Sequence, residues 1–195
     1  CLAGNRHICE NMQLFGISRN GSFAEKTTIP LRTTWKNDPT INHDFLSVME
    51  PFGNAVHVVE VANVKDKDVL VLGLGPVGLC AGMLAKLAGA KSVLGFDIST
   101  YRSSLASSMG FEATSDKNEI KNNSFDVALE MAGVDLAIWM GREAVKPAGL
   151  MIAFGLPKKE VALEWGKLFI DKEITISGVF GRHIWEAWEQ AAKIL

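Results

Sequence analysis

Cysteine is scarce in this chain: three residues in 195, at Cys1, Cys9 and Cys80. An odd handful of thiols builds no disulfide framework and fits a reducing compartment, so the cytoplasm is the expected location. An excess of charge of one sign is also missing. Lysine and arginine total 20 against 22 acidic residues, a balance of −2, and no basic stripe gathers along the chain. Neither nucleic acid nor a membrane surface is therefore an expected partner. A long uninterrupted apolar run is absent too. The charge-free stretch Val69–Ala85 is broken by four glycines and a proline and falls short of the roughly 20 apolar residues that span a bilayer. The opening residues do not read as a basic-then-apolar leader, and there is no internal repeat or low-complexity segment. What remains, 48% hydrophobic and 22% charged, is an ordinary globular composition with enough apolar residues for one domain plus part of another. A chain opening at Cys1, within a loop-like stretch, reads as a piece of something longer.

What is present is the run VLVLGLGPVGLCAGMLAKLAGAKSVLGFDIS, Val69 to Ser99. Val69–Leu72 suits a buried parallel strand, and Gly73, Gly75 and Gly78 follow it at GxGxxG spacing. Gly73 permits a tight turn, Gly75 puts no Cβ between backbone and a diphosphate, and Gly78 lets the next helix lie close to the strand. Pro76 presets the first helical φ, and the free amides and positive dipole end at that helix start can hold a diphosphate. Asp97 ends the next apolar run, Ser92–Phe96, about 20 residues further on, where a carboxylate accepts from ribose hydroxyls and repels a 2′-phosphate. The whole unit reads as a site for NAD in preference to NADP.

Around this unit strands and helices alternate. A strand is expected at Phe23–Ile29, ended by Pro30, then a helix capped by Asn42 or Asp44 that carries Phe45, Leu46 and Val48, and a longer helix, opened or kinked at Pro51, that runs to about Asn63. Further helices are expected over Val77–Ala88, Tyr101–Met109 and Leu136–Val145. Strands are expected at Phe125–Met131, at Leu150–Phe154 after a break at Pro147-Ala148-Gly149, and at Ile174–Val179, before a last helix from Ile184. Such alternation implies an α/β fold, a doubly wound parallel sheet with ligands at the carboxyl ends of its strands.

With CLAGNRHIC at the start, EPFGNAVH at Glu50–His57, LGLGPVG at Leu72–Gly78, FDVALEMAG at Phe125–Gly133 and GVFGRHIWEAW at Gly178–Trp188, the chain resembles the zinc-dependent medium-chain dehydrogenases, and among them their threonine-oxidising branch. The resemblance implies a Rossmann domain over residues 47–195 and, over 1–46, a remnant of a GroES-like catalytic domain. It implies zinc-assisted oxidation of a secondary alcohol by NAD, most closely L-threonine to 2-amino-3-ketobutyrate, with a polyol of the sorbitol type as the alternative. A non-catalytic NAD-binding module is the reading that applies if the chain is no longer than this. By the same resemblance Cys1 and Cys9 match two of four structural-zinc cysteines. Glu50 matches a carboxylate that either ligates the catalytic zinc or assists proton transfer beside it, and His57 would hydrogen-bond near the nicotinamide. Val77 would lie at the diphosphate and Arg102 at the adenosine edge. Phe154, Gly155 and Leu156, with Val179 and Phe180, would meet the nicotinamide from two strand ends. His7, His43 and His183 read as ordinary surface histidines, and Cys80 as a small buried apolar residue. The expected partners are a small-molecule substrate and further copies of the chain, as a dimer or tetramer.

Overall fold

Four consecutive apolar side chains, Val69–Leu72, are wholly buried, which an extended segment achieves only when both of its faces are covered. In the computed structural model, which describes residues 4–194, they form most of β1 (Asp68–Leu72), with Val69 and Val71 packed into one apolar layer and Leu70 and Leu72 into another. Around β1 lie β2 (Ser92–Phe96), β3 (Glu112–Thr114), β4 (Phe125–Glu130), β5 (Val145–Ala153) and β6 (Thr175–Gly178). All pairings are parallel and the order is β3-β2-β1-β4-β5-β6. The chain moves outward from β1 to β3 and then returns to the other side of β1, so a crevice opens at the carboxyl ends of β1 and β4.

The first apolar layer seats α1 (His43–Ala62), α2 (Pro76–Leu87), α3 (Thr100–Ser108) and α5 (Glu186–Ile194) on one face of the sheet. The other face carries α4 (Asp135–Ala144) and a short π-helix at Gly166–Ile170, through Ala137, Ala144 and Leu168. Asn42 caps α1, its side chain accepting from the Asp44 amide at 2.9 Å. Pro51 lies inside α1 without ending it, and the helix closes on Asn63 in the left-handed conformation that asparagine tolerates. The boundary expected between residues 46 and 47 thus falls within one helix.

Two expectations are corrected. Phe23–Ile29 forms no strand: Phe23 is fully exposed, and among the described residues no strand pairs with the segment to complete its hydrogen bonds. Nor do Pro147, Ala148 and Gly149 break β5. Its pairing with β4 jumps from Phe125–Val145 to Val127–Leu150, so these residues are accommodated as an irregularity within the strand. Gly149 is required there, since a Cβ would come within 2.4 Å of Val145. The short edge strand β3 carried no signal in the sequence.

The amino ends of the strands are tied by ions. Asp68 meets Lys91 at 3.1 Å and Lys146 at 3.2 Å and accepts from the Ser92 hydroxyl at 2.8 Å, while Lys146 also meets Asp126 at 2.8 Å. These partners hold Asp68 down to about 2, Ser92 and Lys91 contributing most.

Candidate functional site

The glycine turn is built where β1 passes into α2. Gly73 has φ +98°, and a Cβ on it would also meet Ala132 at 2.9 Å. A Cβ on Gly78 would fall 1.9 Å from the Gly73 carbonyl oxygen, so the start of α2 lies against the turn as closely as backbones allow. Gly75 differs: a Cβ there would meet nothing within 4 Å, and the space above it is open. Pro76 is the first residue of α2, and the Val77 and Gly78 amides that follow have no carbonyl one turn back to bind. Open space, no side chain and free amides make a cradle that fits a diphosphate.

Asp97 flanks this cradle, just past the end of β2. It is buried, and its two carboxylate oxygens are divided between loops: Oδ2 accepts from the Leu74 amide at 2.8 Å and Oδ1 from the Ser99 amide at 2.9 Å. Arg102, in the first turn of α3, brings Nη1 to 3.4 Å of Oδ2, its side chain half exposed. The acid therefore locks the glycine turn to the β2–α3 loop and keeps lone pairs for a ligand hydroxyl.

The opposite wall comes from β4, β5 and β6. Phe154 and Gly155 donate their amides to the Glu130 carbonyl at 3.0 and 3.1 Å, and Val179 donates to Ala153 at 3.0 Å. Gly155 and Gly133 approach backbone to backbone; a Cβ on Gly155 would lie 2.0 Å from the Gly133 nitrogen. Leu156 and Phe180 project outward, whereas the Val179 side chain is buried in the core. Glu130 organises this corner and was not singled out from the sequence. Its carboxylate, almost wholly buried, accepts from the amides of Ala132 at 2.9 Å and Gly133 at 2.8 Å. Burial pushes the Glu130 carboxyl up, against the pull of the amides of Gly133, Ala132 and Gly155. The available signal was an acid in the otherwise apolar run FDVALEMAG.

Glu50 stands on α1. Its Oε1 accepts from Arg182 Nη1 at 2.6 Å, and Asn54 Nδ2 lies 3.4 Å away. Arg182 also reaches Asn54 Oδ1 at 3.2 Å, lies over the Trp188 ring and fits beside Gly53, where a Cβ would touch its Cδ at 2.8 Å. Cys9 is a free, half-buried thiol, and Cys1 lies outside the described residues.

His57 is buried on α1 with Nδ1 3.1 Å from the Gly181 carbonyl oxygen. Beside it stand His7 and His183, their ring centroids 5.3 and 4.1 Å from that of His57 and 4.5 Å from each other. Burial lowers the pKa of His57, opposed by the Gly181 carbonyl, and also lowers that of His7. The structure thus gathers three histidines that the sequence left apart.

A family model described as zinc-binding dehydrogenase matches residues 76–195. Over the whole chain the sequence is 35% identical to L-threonine 3-dehydrogenase of Pyrococcus abyssi and 37% identical to that of Burkholderia ambifaria (strain MC40-6), covering 59% and 60% of those proteins. The chain thus spans about three-fifths of the length of the curated relatives it matches. Among solved structures, a protein of Sinorhizobium meliloti 1021 described as a zinc-binding dehydrogenase bound to NADP superposes with a TM-score of 0.89 at 26% identity, over 100% of this chain and 60% of that one.

Proposed function

Because this chain belongs to the zinc-binding dehydrogenase family, we propose that the whole protein oxidises the secondary alcohol of L-threonine to 2-amino-3-ketobutyrate and delivers the hydride to NAD. The observation that carries the cofactor assignment is the empty space over Gly75, beside free α2 amides and the buried carboxylate of Asp97. The substrate assignment follows the relatives' names at 35–37% identity along the entire chain.

NAD, when bound, supplies the hydride acceptor. The amides of Val77 and Gly78 bind its diphosphate over Gly75. Asp97 accepts from the adenosine ribose hydroxyls, and Arg102 covers the adenosine edge. Phe154, Gly155 and Leu156 at the end of β5, with Val179 and Phe180 at the end of β6, orient the nicotinamide from the other side of the crevice, with the Val179 contribution coming from its backbone.

Zinc is a second matter. A catalytic zinc needs three protein ligands and an open position. Of the residues that the family resemblance points to, the described chain offers Glu50 for that ion and Cys9 for a structural one, so these residues by themselves fit neither site. Arg182 and Asn54 hold the Glu50 carboxylate in place on α1, and in the whole protein that carboxylate takes up the proton that the alcohol releases.

Turnover of the whole protein with L-threonine and NAD, followed by NADH absorbance, tests this reading. Glu50→Ala is expected to lower kcat far more than it weakens NAD, a chelator to abolish activity, and residues 1–195 alone to turn nothing over. Faster turnover of sorbitol than of L-threonine would move the assignment to polyols.

A further inference from the structure

Among the described residues, one group of three or more histidine, cysteine or acidic side chains brings its potential ligand atoms within 4.8 Å of one another, and it consists of His7, His57 and His183. None of them belongs to the zinc positions discussed above. They come from three separate parts of the chain: a 3₁₀ turn at Arg6–Ile8, the buried face of α1, and the loop between β6 and α5.

From this convergence we propose that His7, His57 and His183 form a metal site for a borderline divalent cation of the zinc class. Zinc coordinates imidazole nitrogen at about 2.0–2.1 Å, which places tetrahedral ligand atoms about 3.4 Å apart. From the separations present, the set closes onto an ion by rotation of the half-exposed His7 and His183 rings toward the fixed His57. His57 already has the disposition of a ligand. Its Nδ1–H points at the Gly181 carbonyl, the kind of partner that fixes the tautomer of a ligating histidine, and Nε2 is left for the metal. Three nitrogens and no thiolate suit zinc, cobalt, nickel or copper and disfavour calcium and magnesium, which take oxygen ligands. The fourth position is provided for. A cavity of about 160 Å³ borders His7 and His183, lined also by Asn5, Arg6 and Glu186, with room for water or the Glu186 carboxylate as the last ligand. An ion held there clips the amino-terminal segment to α1 and to the loop that carries Arg182, the partner of Glu50.

Titration with Co²⁺ under visible absorbance, with bound metal counted by mass spectrometry after desalting, tests the site. The full protein is compared with His7→Ala, His183→Ala, Cys9→Ser and Glu50→Ala. Wild type is expected to hold one ion more than His183→Ala or His7→Ala, each of which weakens that ion by more than the roughly 10–100-fold that losing a supporting partner costs. Cys9→Ser and Glu50→Ala are expected to keep it, which separates this site from any zinc at those residues. In wild type, saturating Co²⁺ is also expected to slow acylation of the three histidines by diethyl pyrocarbonate, a readout that needs no variant to fold. Unchanged Co²⁺ binding in both histidine variants, or equal acylation with and without metal, overturns the proposal.

Discussion

At the scale of the residue, Asp97 is expected to set cofactor choice. A 2′-phosphate brought to its carboxylate meets like charge in a buried setting, with Arg102 as the nearby cation. NAD is expected to bind roughly tenfold or more tighter than NADP, about 1.4 kcal/mol, and Asp97→Ser to narrow the gap. Direct titration of both cofactors decides it, the more pointedly because the Sinorhizobium relative was solved with NADP; equal affinities would remove Asp97 from that role. Glu130 gives a stability test. Glu130→Leu strands the amides of Ala132 and Gly133 and is expected to cost about 2–4 kcal/mol, while Glu130→Gln, which can still accept from both, stays within about 1 kcal/mol of wild type. Because burial lifts this carboxyl above its ordinary 4.5, its stabilising contribution is full below that value and fades as pH climbs through the lifted one. Urea melts across pH check both, and the Gln variant should lose that pH dependence. The glycines and Asp97 were legible because each acts within its own stretch of sequence. Glu130 was not, since its meaning lies in burial, and neither were Arg182, 132 residues from Glu50, and the three histidines, of which His7 and His183 are 176 residues apart.

At the scale of the element, legibility followed local cause. Helices α2 to α5 and strands β1, β2, β4 and β6 were read to within a residue or two, because their apolar spacing is written where they form. Errors arose where a partner decides. Phe23–Ile29 has the composition of a strand and no neighbour, β3 has a neighbour and little composition, and the Pro147 region is carried through by pairing on either side of it. The ion cluster on β1, β2, β4 and β5 predicts acid sensitivity. Asp68 is held at about 2 against an ordinary 3.8, so its contribution is present above 3.8 and lost as pH falls through 2. Asp68→Asn is expected to flatten the stability profile over that range; a wild-type profile there that the substitution leaves unaltered would acquit the cluster.

At the scale of the molecule, the sheet ends in two unlike edges. On β6 the Val179 amide turns inward to Ala153, so by alternation those of Ile176 and Gly178 face away from β5 and are open to another chain. We expect the whole protein to associate through this edge, its sheet continued by that of a second copy. Light scattering should report a dimer or tetramer at micromolar concentration, with slow amide exchange at Ile176 and Gly178; a monomer exchanging freely there would rule the edge out. No helix among the described residues is long and apolar enough to cross a membrane. The placement of the ion cluster has a last consequence. Every charged tie between strands sits at their amino ends, while the glycine turn, Leu156 and Phe180 occupy the other. The ion pairs can therefore be altered at one end of the sheet without touching the groups that line the crevice at the other.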